Sequence, residues 1–141
     1  MTPVPLATAP SLADIDEIAR QAFENLPHHF RSRCTDVVLR IEEFPSDDVV
    51  ADMQLESPFD ILGLYQGTEL THKSFSESGS LPDMVFLYRR PILDYWCESG
   101  ETLRHIVTHV LVHEIGHHFG FSDDDMDAIE AAAQAEEDAP A

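Results

Sequence analysis

"VLVHEIGHHFGFSDDDM", residues 110–126, gathers three histidines, one glutamate, two glycines and a run of aspartates into one short stretch. It closes the longest periodic segment of the chain, Glu101 to Phe119, along which Leu103, Ile106, Val107, Val110, Leu111 and Ile115 form an apolar stripe. That stripe predicts a helix laid on a core. Gly120 stands where a helix ends by turning left-handed, and Ser122 caps a following helix predicted to run toward Ala135.

On such a helix His113 and His117 lie four residues apart, so their rings share a face and can approach one cation at the ~2.0–2.1 Å of a zinc–nitrogen bond. Glu114 is rotated ~100° from His113, too far round to be a ligand but well placed to touch a water on the ion, the position of a general base. Gly120 lets the chain reverse, and Asp123 can return to supply a third, oxygen ligand while a fourth position stays open. The chemistry expected is water acidified by a divalent ion, deprotonated by Glu114, attacking a polarised carbonyl. H-E-x-x-H alone recurs by chance. The full H-E-x-x-H-x-x-G-x-x-D on an apolar helix is far more specific. Zn2+ suits two histidines and a carboxylate best, although Fe(II), Co(II) and Mn(II) accept the same set.

Upstream, Ser11 with Asp14 predicts a helix start, and apolar residues from Leu12 to Leu26 recur at helical spacing until Pro27. A strand is expected from about Asp36 to Phe44, and Ser46 caps a short helix through Met53. "DILGLYQG" (60–67) and "DMVFLYRR" (83–90) read as two further strands, separated by "TELTHKSFSESGS" (68–80), a long polar connection expected to be mobile. Pro91 starts a short helix through Glu98. The order implies an α+β domain, a small mixed sheet packed against helices, with a loose arm over 1–10, the domain over 11–135 and an acidic disordered tail over 136–141.

The chain has 141 residues, 43% of them apolar, enough for one modest core. Lys and Arg total 8 against 27 Asp and Glu, a formal net charge of −19 that repels phosphate backbones and anionic membranes. A peptide or protein substrate is therefore expected rather than nucleic acid, with the chain a monomer. Eight of the acidic residues fall between Ser122 and Ala141, where no basic residue occurs. Cys34 and Cys97 lie outside any C-x-x-C pattern and read as reduced and buried. "MTPVPLATAPSLADID" lacks a basic leader region, and no ~18-residue apolar run occurs. The expected compartment is the cytoplasm.

The run from His113 to Asp123 resembles the metzincin type of zinc peptidase motif with Asp as third ligand, as in the snapalysin group. More closely, "ILGLYQGTEL" (61–70), "LPDMVFLYRRPILDYW" (81–96) and "HEIGHHFGFSDDDMDAIE" (113–130) resemble the small bacterial zincin-like metallopeptidase family, over roughly residues 11–135. That resemblance implies a minimal zincin fold, ligands His113, His117 and Asp123, and a catalytic Glu114. It implies no particular substrate. One departure from true metzincins is that nothing tens of residues beyond Asp123 can form their Met-turn; Met126 falls inside the next helix, where a core role is expected.

His105 and His109 continue the four-residue ladder, each step rising ~6 Å, and are expected to be partly exposed or supporting residues rather than ligands. His118 is expected at the surface or facing the sheet, and Asp124 and Asp125 in the acidic first turn of the last helix. Tyr65, Tyr88 and Tyr95 are candidate donors to an oxyanion but fit core or strand positions better. Two other functions compete with a peptidase: a metal-stapled binding domain without catalysis, and a metal-dependent endoribonuclease, which Glu114 and the net charge of −19 both disfavour.

Overall fold

The computed structural model describes residues 8–67 and 83–138, apart from the side chains of His117, Glu137 and Asp138. Helix α1 (Leu12–Glu24) opens on a capping box in which Ser11 and Asp14 satisfy each other's backbone N–H groups, and closes at Asn25, just short of Pro27. A short helix α2 (His28–Arg31), which the periodicity did not announce, follows. Strand β1 (Val38–Glu42) is shorter than expected, and Ser46 caps α3 (Asp47–Asp52) as predicted. Strands β2 (Gly63–Gln66) and β3 (Met84–Tyr88) fall within the two predicted stretches.

Helix α4 (Arg89–Ser99) begins two residues before Pro91. Proline is tolerated there because the N–H groups of a helix's first turn have no partner within the helix. Thr102 then caps α5 (Leu103–Phe119), the motif helix, and α6 (Asp123–Asp138) runs on through residues expected in the tail. The connection over 68–80, expected to be mobile, lies outside the described residues.

The sheet is mixed, in the order β1-β3-β2, with β1 parallel and β2 antiparallel to the central β3. Sequence patterning leaves that order open. Helix α5 packs against α1, α4, α6, β2 and β3, and buries Ile106, Val107, Thr108, Val110, Leu111, Val112 and Ile115. More than one stripe is covered because neighbours flank the helix on several sides. The α+β class expected from the sequence is the observed one. Among the described residues, no helix is long and apolar enough to cross a membrane.

Cys34 is buried and donates its thiol to the Phe30 carbonyl at 3.4 Å, and burial pushes its pKa up to about 11. Cys97, expected to be buried, is exposed instead, because it lies on the outer side of α4 away from Pro91 and Ile92.

Close contact between sheet and motif helix depends on Gly63. A Cβ there would stand 2.6 Å from Val110 Cγ1, 3.0 Å from the Phe86 carbonyl oxygen and 3.2 Å from Leu87 Cδ2. The backbone oxygen cannot swing aside. Gly63→Ala should therefore cost about 1–3 kcal/mol in urea unfolding, and unchanged stability would show that β2 is not pressed onto α5.

Candidate metal centre

His113 and Glu114 are half-buried on α5, the helix that meets β2 on one side and α6 on another. From the sheet, the Tyr65 N–H donates to Glu114 Oε1 at 3.0 Å. Its direction follows from strand geometry. The Leu62 carbonyl accepts from Tyr88 N at 3.0 Å, so alternate residues turn toward β3, and Gly63 and Tyr65 turn their backbone groups outward. Glu114 is thus tied to the edge of the sheet. Tyr88, fully buried nearby, has its hydroxyl pushed up to about 12, by burial first and then by the carboxylates of Glu42 and Glu114. The Tyr65 hydroxyl is raised further, again by burial first, and donates to Asp83.

The second wall comes from the turn after α5. Gly120 adopts φ 74°, a left-handed conformation that glycine takes without steric cost, and the Phe121 N–H reaches back to the Gly116 carbonyl at 2.9 Å. Ser122 and Asp125 then form a capping box, each side chain accepting the other's backbone N–H at 3.0 Å. Those bonds to Ser122 hold the Asp125 carboxyl below the usual carboxylate range. Asp125 therefore serves the helix start, as expected. Met126 packs fully buried on Gly116, where a Cβ would lie 2.4 Å from its sulfur.

With Met126 at Gly116, antiparallel α6 brings Glu130 alongside an earlier turn of α5. Glu130 Oε1 lies 2.5 Å from His109 Nδ1, and its Oε2 lies 3.1 Å from His113 Nε2. The nitrogen and oxygen atoms of this trio lie within 4.8 Å of one another.

Of the residues singled out by sequence, His113 and Glu114 come together at the junction of sheet and helices. His117 follows one turn later on α5. Asp123 is exposed in the first turn of α6, and the carboxylate beside His113 is Glu130. Sequence reasoning passed over Glu130. A signal was available: if Met126 faces the core, Ile129 and Glu130 at i+3 and i+4 share its face, so an acidic residue sits on the buried side of the helix.

His105 pairs with Glu101 at 3.3 Å, apart from the motif, as expected. His118 is exposed and stacks on Tyr65 with ring centroids 3.5 Å apart, which fits its expected surface or sheet-facing place. Tyr65 and Tyr88 occupy core strand positions, whereas Tyr95 is exposed. His109 is half exposed but joins Glu130.

A helix bearing H-E-x-x-H, packed under a small mixed sheet with its glutamate bound to the sheet edge, defines a class of metal-site α+β domain. The sequence profile of zincin-like metallopeptidases matches residues 34–133, and the chain belongs to that family. No curated protein is a match to the chain. Among the described residues, imidazole nitrogens of His109 and His113 on α5 and a carboxylate oxygen of Glu130 on α6 converge, with His109 exposed and the other two half-buried, a donor chemistry that fits the zinc ion this family implies.

Proposed function

We propose that this chain is a zinc-dependent endopeptidase in which His113, His117 and Asp123 hold the ion and Glu114 is the general base. The observation that carries this reading is the hydrogen bond from Tyr65 N to Glu114 Oε1 at 3.0 Å, which anchors the base at the sheet edge next to His113. A purely structural metal site has no use for an anchored carboxylate between its two histidines. When bound, zinc supplies Lewis acidity, which acidifies water and polarises a carbonyl. Glu114 takes a proton at a carboxylate oxygen and delivers it to the departing amine. The Tyr65 N–H holds that carboxylate in one orientation, so little reorganisation accompanies the transfer.

With the Tyr65 N–H taken by Glu114, the outward groups of Gly63 and the Tyr65 carbonyl are what this edge offers an extended peptide adding to β2 as a further strand, which would bring its backbone toward Glu114. Flexible or unfolded segments are the substrates this favours. The test is zinc content together with hydrolysis of an unfolded protein; a zinc-loaded wild type that cleaves nothing would sink the peptidase reading. Asp123→Ala should weaken zinc affinity at least tenfold, and an unaltered affinity would remove Asp123 from the ligand set.

A further inference from the structure

His109, His113 and Glu130 converge although the motif calls for only one of them, His113. His109 and His113 are one turn apart on α5, with ring centroids 4.2 Å apart, and each ring nitrogen meets a different oxygen of one carboxylate. Glu130 is mostly buried, its side chain 14% exposed, whereas that of His109 is 52% exposed. Two rigid helices therefore hold three donors around one point, and the outer histidine gives an ion a way in. Ligands on a four-coordinate zinc ion stand about 3.3 Å apart at bonds of ~2.0–2.1 Å. The contacts of 2.5 and 3.1 Å, and the 4.8 Å limit on the whole trio, need only small side-chain adjustments to reach that spacing.

The geometry points to a second seat for a divalent transition-metal ion, made by His109, His113 and Glu130, one helical turn toward the start of α5 from the motif pair. The donor set of two imidazoles and a carboxylate selects zinc, cobalt or nickel over calcium or magnesium. The net charge of −19 favours cation entry generally. Both seats use the His113 ring, and a neutral imidazole has one lone pair to give. They are thus alternatives, and the chain holds one ion, not two. Only this competition rests on the functional reading above; the seat itself does not.

The test titrates the metal-stripped full chain with Co2+, then Zn2+, following stoichiometry and the visible cobalt spectrum. The proteins are wild type, His117→Ala, His117→Ala/His109→Ala and His117→Ala/Glu130→Gln, with circular dichroism as the check on folding. His117→Ala should still bind one Co2+ per chain, and each double variant should bind it at least tenfold more weakly. Equal binding by His117→Ala and both double variants would overturn the seat. So would a natively folded His117→Ala that binds no ion. Two ions per wild-type chain would overturn the sharing of His113. If wild type and His117→Ala bind alike while the double variants fail, this seat stands and the motif pair is the one refuted. Glu130→Gln keeps the shape and hydrogen-bonding reach of the side chain, so its result does not hinge on a packing defect.

Discussion

Glu114→Gln should abolish peptide hydrolysis while zinc binding survives, the largest effect expected of any single substitution here. Glutamine matches glutamate in shape, and its amide oxygen can still accept the Tyr65 N–H that meets Glu114 Oε1 at 3.0 Å. What it cannot do is take up a proton. General base catalysis contributes roughly 10²–10⁴-fold, so the rate on an unfolded protein should fall by about that factor. Zinc stoichiometry and thermal stability should stay close to wild type, because the side chain is proposed as a base and not as a ligand. A variant that keeps its rate within a few-fold would refute the role of Glu114. One that loses zinc as well would move Glu114 into the ligand set.

Met126→Ala should be the most destabilising of the substitutions considered, by about 2–5 kcal/mol. Its side chain is fully buried, packed on Gly116 at the crossing of α5 and α6, and truncation leaves a void that two helices cannot readily close. For a chain of this size the melting temperature should drop on the order of 10 °C. Gly116→Ala tests the same contact from the other side. Its new Cβ would stand 2.4 Å from Met126 Sδ, so its cost should be much smaller in the Met126→Ala background than in wild type. Additive effects in that cycle would show that the pair does not set the approach of the helices. Since α6 carries Asp123 and Glu130, a loosened crossing should also weaken metal binding.

Local signals in the chain fix where its helices begin and end. The capping residues Ser11, Ser46 and Ser122 begin helices where expected, and Gly120 ends the motif helix in the left-handed conformation. Each of these depends on bonds spanning three or four residues, which composition and spacing record directly. The same holds for His113, Glu114 and His117 as neighbours on one helix, and for a core role of Met126. Cys97 is exposed where its residue type suggests burial, because a cysteine's chemistry says little about which side of a helix its neighbours cover. The short helix α2 escaped because four residues are too few to show a period.

What the sequence determined by itself is therefore the α+β class, the motif helix and the spacing of its histidines and glutamate. Tertiary structure decided the strand order β1-β3-β2, the anchoring of Glu114 by Tyr65, and the arrival of Glu130 between His109 and His113. Glu114 and Tyr65 are 49 residues apart, and Glu130 lies 17 and 21 residues from the two histidines it meets. Periodicity reports which face of an element is apolar, but not which element will cover it. That choice is made when the apolar faces of sheet and helices close on one another, and the polar groups carried along at their edges become partners only then.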